Sequence, residues 1–138
     1  MSLFNIFNVA GSGMSAQSTR LNTTASNMAN ANSVASSADE TYRARQPVFE
    51  SALNLASQNQ ASVPVQIAGI VESDKPMIRE FSPNHPLADG DGYIYKPNVN
   101  VVEEMANMIS ASRSYQANVQ LATAAKDLAQ QTLRLGKG

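Results

Sequence analysis

The 138-residue chain has a formal net charge of −1 and only 15% charged residues, so neither a nucleic-acid backbone nor an anionic membrane surface is an implied partner. It has no cysteine, which removes disulfides, thiolate nucleophiles and cysteine-based metal sites. No stretch approaches the roughly 18 apolar residues of a membrane helix, and the opening "MSLFNIFNVAGSGMSAQSTR" has no basic and apolar signal regions, which leaves a cytosolic location or export without a cleavable signal peptide.

All six prolines lie between Pro47 and Pro97. Because proline breaks helix interiors, the chain divides into a potentially helical start (1–38), an irregular or β middle (39–97) and a potentially helical end (98–138). In the start, Leu3, Phe7, Ala10, Met14, Leu21, Met28 and Ala31 recur at helical steps of three and four, with Gln17 and Thr24 completing one heptad position. That pattern is a seam for a partner helix, with Ser2 as candidate N-cap. Gly11-Ser12-Gly13 interrupts it: the helix kinks there, or another backbone comes close, or the helix begins afterwards.

The polar side of this segment is unusual. Residues 1–38 contain one charged side chain, Arg20, and otherwise Asn, Ser, Thr and Gln. A solvated helix normally carries ion pairs on its wet face, whereas a helix enclosed by protein avoids charge, because an unpaired buried charge costs far more than a hydrogen-bonded amide. The expectation is a helix surrounded by other chains, with Asn27, Asn30 and Asn32 bridging to neighbouring backbones and alanines allowing close approach. The alternative is that residues 1–38 are simply disordered in the monomer, being polar and low in charge; the two readings are compatible, since a segment disordered alone can order on assembly.

In the middle, Thr41–Phe49 reads as a strand. Val63, Val65 and Ile67 alternate before Gly69 interrupts as a bulge would, and Met77–Phe81 is the expected return strand after the Ser73–Pro76 turn, giving a small β-hairpin. Residues 52–62 have no decisive pattern. The stretch Ser82–Gly92, with Pro86, Asp89 and Gly92, is dense turn chemistry leading to the extended run Tyr93–Tyr95. His85, the lone histidine, lies between prolines and is expected to be structural. Asp89–Gly92 fails as a calcium loop, since Tyr93 stands where the third ligand belongs and Asn100 where the closing glutamate belongs.

The final segment opens with Asn100 as N-cap and Glu103 at N3, acidic residues at the positive pole, Arg134 near the other pole and Gly136 just past the end. Its apolar seam reads Val101, Met105, Met108, Tyr115, Val119, Ala122, Ala129 and Leu133, widened by Val102, Ile109, Leu121, Ala125, Leu128 and Leu135. A continuous helix here is roughly 50 Å long at 1.5 Å per residue, which points to an elongated molecule. No nucleotide loop, nucleophile elbow or metal cluster is legible, so no enzyme, cofactor, metal or small-molecule substrate is expected.

"NIFNVAGSGMSAQSTRLNTTASNMANANS", "YRARQPVF", "SPNHPLADGDGYIYKPNVNVVEEM" and "MISASRSYQANVQ…TLRLG" resemble, in order from Ile6 to Gly136, the bacterial flagellar basal-body rod proteins, most closely those of the proximal rod. Ser36–Thr41 departs from the pattern in lacking the Gly and Pro common there. The resemblance implies a mainly α protein whose long terminal helices pair as an antiparallel coiled coil, with a small β-hairpin-containing middle segment. It implies a structural, torque-transmitting subunit of the periplasm-spanning rod, exported through the flagellar type III apparatus. Its partners would be copies of itself, related rod proteins and the membrane-ring side of the basal body. The inner-tube role would fall to Leu3, Phe7, Ala10, Met14, Leu21, Asn27, Met28, Asn30 and Asn32 on the first helix. On the last helix it would fall to Val102, Met105, Met108, Ile109, Tyr115, Val119, Leu121, Leu128 and Leu133. The turn around Pro86, Asp89, Gly92 and Tyr93 would belong to the outer contacts. The rival readings are a secreted coiled-coil adaptor and another rod or hook component. Asn30→Lys separates the first of them, since an adaptor tolerates it and a polymer subunit does not.

Overall fold

A computed structural model describes residues 3–52 and 63–136. Two long helices bracket four short strands: α1 (Leu3–Asn30), β1 (Arg45–Ser51), β2 (Val65–Glu72), β3 (Ile78–Phe81), β4 (Tyr93–Lys96) and α2 (Val101–Leu135). The chain is therefore mainly helical with a β part. Ser2 lies outside the described residues, as does all but Ala52 of the undecided stretch 52–62.

α2 begins where expected. The Asn100 side chain accepts hydrogen bonds from the Val102 and Glu103 amides, so two of the helix's free N–H groups are satisfied. Glu103 does not close a capping box; it turns to Lys75 at 3.7 Å. At the other end Gly136 is right-handed (φ −81°) and its N–H bonds back to Thr132.

α1 runs unbroken through Gly11-Ser12-Gly13, so the helix does not begin after the triplet, and what comes close is a side chain at Gly13 and not another backbone. A Cβ on Gly13 would lie 2.8 Å from Asn118 Nδ2, whereas one on Gly11 would meet nothing within 4 Å. Ser12 Oγ donates to Val9 O and accepts the Val65 amide, tying α1 to the start of β2. The two glycines therefore have opposite tolerance. Gly11→Ala is expected to raise stability by about 0.5–1 kcal/mol through helix propensity. Gly13→Ala is expected to forfeit that gain because Asn118 must move, and urea unfolding of the two variants checks the difference.

The helices run side by side. Gly13 lies against Asn118, and seven residues further along α1 the Arg20 guanidinium donates to Asn107 Oδ1 at 3.0 Å. Advancing on α1 thus means receding on α2. The face of α2 turned inward carries Glu104, Ala111 and Ala125, all buried, with Asn118, Met108, Ala122 and Ala129 half-buried. This differs from the seam read from hydrophobicity: Val101, Met105, Tyr115, Val119 and Leu133 are exposed. The reason is shape. Alanine and glycine let two backbones approach closely, and larger side chains would hold them apart.

The β segment also pairs differently from expectation. β1 pairs antiparallel with β2, and β3 with β4, so Met77–Phe81 is not the return strand of Val63–Val71. The bulge is present beside Gly69. Val48 faces Gly69 and Phe49 faces Ile67, leaving Ala68 as the extra residue. The short Ser73–Pro76 link makes no hairpin because Asn98 Nδ2 takes the Ser73 and Lys75 carbonyls while Ser73 N bonds Ala44 O. Ala35 adds a two-way bridge to Tyr95 on the edge of β4.

Apart from Ile94, the apolar core among the described residues is alanine. Its buried apolar members are Ala10, Ala16, Ala44, Ile94, Ala111 and Ala125, and the largest fully buried side chains are Asn27 and Pro97.

Candidate assembly surface

α1 has two occupied faces. One meets α2; the other meets the β1–β2 pair through Ser12 and Asn27, and Tyr42 just before β1 through Ser26. Asn27, 1% exposed, behaves like a strand partner for Arg45. Its Nδ2 donates to Arg45 O at 2.8 Å, and its Oδ1 accepts both the Arg45 amide at 2.9 Å and the Tyr42 hydroxyl at 2.9 Å. Tyr42 Oη also lies 3.2 Å from Ser26 Oγ. A single amide thus satisfies the outward-facing backbone groups at the start of β1, which would otherwise be buried unpaired. Asn98 repeats the device, accepting the Ala44 amide at 2.8 Å while donating to Lys75 O at 2.7 Å.

These contacts correct the reading of the asparagines as bridges to other chains. Asn27 is consumed inside its own chain, and Asn30 Nδ2 bonds Ser26 O within α1; only Asn32 stands exposed. Part of the missing charge on α1 therefore has an internal cause: its polar side is covered by the chain's own strands. Asn98 was not singled out from sequence. Its signal was the Pro-Asn-Val-Asn step into α2, which reads as capping and hides a second function.

What remains outside is distinctive. On α1, Asn8, Ser15, Ser18, Asn22, Ala25 and Ala29 are exposed along one uncharged stripe that starts at Phe4, itself 81% exposed, and Asn32 is exposed just past the helix end. Along the expected seam, Ala10 is buried, and Phe7, Met14, Leu21 and Met28 are half-buried. The Leu3 side chain lies outside the described residues. On α2, Val102 (75% exposed), Met105, Ile109, Tyr115, Val119, Leu121, Leu128 and Leu133 (70%) all face outward, and Met108 is half-buried.

The turn before β4 is built on Asp89. Its Oδ1 accepts the Asp91 and Tyr93 amides at 3.0 and 2.8 Å. Gly92 has φ +81°, and a Cβ there would lie 3.1 Å from the Phe81 ring and from Pro83 Cβ, so glycine is required on both counts. Tyr93 meets Phe81 edge-on at 5.1 Å and lies under the Arg79 guanidinium at 3.7 Å. Pro86 is exposed beside it. His85 Nδ1 accepts the Leu87 amide at 3.1 Å, a structural contact. Among the described residues no group of three or more His, Asp or Glu converges on a metal-sized site.

The Tyr93 amide, then the Asp91 amide and Arg79, hold the Asp89 carboxyl below its usual pKa against an opposing desolvation. The folded turn thus prefers the charged form. Its contribution is full above the ordinary aspartate value of about 3.9 and is lost as pH falls through the depressed value. The protection of the Tyr93 amide against exchange, relative to its intrinsic rate at each pH, is expected to fall only in that acid range, and Asp89→Asn, which keeps the acceptor, is expected to flatten the response.

Two family models match the chain. Residues 7–35 match one described as flagella basal body rod protein, and residues 91–135 match one described as flagellar basal body rod FlgEFG protein C-terminal. Over 137 residues, 99% of this chain, the sequence is 51% identical to the flagellar basal-body rod protein FlgC of Yersinia enterocolitica and 47% identical to that of Salmonella typhimurium, covering 100% of each. It is 37% identical to the FlgC of Aquifex aeolicus, covering 99% of both chains.

Proposed function

From the premise that the chain belongs to the FlgC family of flagellar basal-body rod proteins, and is thus a structural subunit of the proximal rod and not an enzyme, we propose that its terminal helices form an antiparallel coiled coil whose outer surfaces drive polymerisation. One observation carries this reading. Among the described residues the buried apolar side chains are alanines and the single large one Ile94, while Val102, Ile109, Leu128 and Leu133 are left outside. Covering a large apolar side chain is worth about 1.5–3 kcal/mol. A single chain leaves that energy unused, and a polymer recovers it on every subunit.

The α1 stripe fits the same reading. Small uncharged side chains from Asn8 to Asn32 form a shallow surface against which apolar side chains of α2 from another subunit can pack without stranding an ion. Residues 1–38 and 98–138 then form the inner tube, and 39–97, with Pro86, Asp89, Gly92 and Tyr93, the outer contacts.

The protein works in the flagellar basal body with other rod components. More specifically, its neighbours would be copies of itself, the rod proteins above and below, and the membrane-ring side, in the periplasmic space. Export through the flagellar type III apparatus suits a chain whose small-residue core offers little resistance to unfolding. A density map of assembled rods is the test: the two terminal helices should lie side by side near the axis. Helices pointing outward into solvent would refute the reading.

A further inference from the structure

Three connections link the helix pair and the two β pairs: 31–44 from α1 to β1, 73–77 from β2 to β3, and 97–100 from β4 to α2. All three meet at Asn98, which lies on the last of them. Its Oδ1 accepts the Ala44 amide at 2.8 Å, at the entry to β1. Its Nδ2 donates to Ser73 O at 3.3 Å and to Lys75 O at 2.7 Å, at the exit from β2. The Ser73 amide closes the ring by donating to Ala44 O at 2.8 Å.

Little else orients these parts. Among the described residues β1–β2 packs on α1 but not on α2, and β3–β4 packs on neither helix nor on the other strand pair. β4 has the Ala35–Tyr95 bridge as a second attachment. The side chains buried around the joint are few: Thr41, Ala44, Ile94 and Pro97. The Lys75–Glu103 ion pair is half-exposed, and such pairs contribute little. With so small an apolar area between the parts, directional hydrogen bonds decide their orientation.

We propose that Asn98 is a positioning residue whose carboxamide, used at both ends, pins the β pairs in one orientation against the helix pair. Asn100 is the contrast. Among the described residues its side chain only accepts, from the Val102 and Glu103 amides, so a carboxylate can replace it at the positive pole of α2. At position 98 a carboxylate keeps the acceptor for Ala44 but meets the Ser73 and Lys75 carbonyls with a second acceptor where a donor is needed. Two asparagines so close in sequence thus have opposite tolerance for aspartate. A subunit that presents helices and strands to its neighbours together needs them held in one orientation; that consequence rests on the polymerisation reading above, and the pin itself does not.

The cysteine-free chain allows a direct test. Spin labels on Ala68→Cys with Gln116→Cys, and on Ile78→Cys with Gln116→Cys, report each β pair against α2 from exposed sites. With Asn98 present, each label pair should give one narrow distance. Asn98→Ala and Asn98→Asp should broaden both distributions at unchanged helix content, and Asn100→Asp should leave them narrow. Exchange of the Ser73 amide, whose acceptor is Ala44 and not Asn98, should quicken about tenfold or more in Asn98→Asp and stay unchanged in Asn100→Asp. In cells, complete basal bodies should be lost with Asn98→Asp and kept with Asn100→Asp. Narrow distances in Asn98→Asp, or broad ones with Asn98 present, would overturn the pin. Where the Asn98 variants unfold, the unsubstituted chain decides: protected Ala44 and Ser73 amides sustain the pin, and amides exchanging as freely as in a short peptide overturn it. Broadened distances in a chain that still builds complete rods would overturn the docking consequence alone.

Discussion

Asn27→Ala is expected to lower the stability of the isolated chain by roughly 3 kcal/mol, since a buried unmade hydrogen bond costs about 1–3 kcal/mol. The substitution removes one side chain but strands two backbone groups, the Arg45 amide and the Arg45 carbonyl, and leaves the Tyr42 hydroxyl with Ser26 alone. The position is enclosed, so water cannot readily replace what is lost. Denaturant unfolding followed by circular dichroism measures the effect. Asn32→Ala, at an exposed site four residues beyond the helix-bound Met28, is the control and is expected to stay within about 0.5 kcal/mol of the parent. Tyr42→Phe removes the hydroxyl's contacts with Asn27 and Ser26 but leaves both Arg45 backbone bonds, and should fall between them. Equal losses at positions 27 and 32 would contradict the role given to the Arg45 junction.

The second large effect is on assembly. Ile109→Glu combined with Leu128→Glu is expected to abolish rod formation and swimming while leaving the thermal midpoint of the free chain nearly unchanged. Both side chains are more than half exposed in the single chain, so their replacement removes little from its core. In a polymer each would forfeit about 1.5–3 kcal/mol of burial and add a carboxylate to a dry contact. A variant that swims normally would show that this face of α2 stays wet in the rod. One that loses helicity as a monomer would show that the face is used inside the chain.

The helices were legible because their signals are local. Asn100, Glu103 and Arg134 mark the ends of α2 within a few residues of where they act, and the absence of proline outside Pro47–Pro97 bounds both helices. The turn at Asp89–Gly92 was legible for the same reason. Strand partners were not. Met77–Phe81 follows Val63–Val71 so closely that a hairpin looked natural, yet Asn98 occupies the carbonyls of the connecting turn from 23 and 25 residues away. Sequence proximity carries no information about such a competitor. The asparagines of α1 were rightly singled out as unusual, but Asn27 serves β1 of the same chain.

By itself the sequence determined two proline-free helices, a β middle, the lack of charge along the first helix and the likeness to rod proteins, all properties written in neighbouring residues. Only the tertiary structure decided which face of α2 turns inward. Hydrophobicity pointed to Val101, Met105, Tyr115, Val119 and Leu133 together with Met108, Ala122, Ala125 and Ala129; the fold turned only the last four inward and added Glu104, Ala111 and Asn118. Two helices brought together at Gly13 leave room only for small side chains, and the large apolar ones are displaced to the outer surface, where another subunit can cover them.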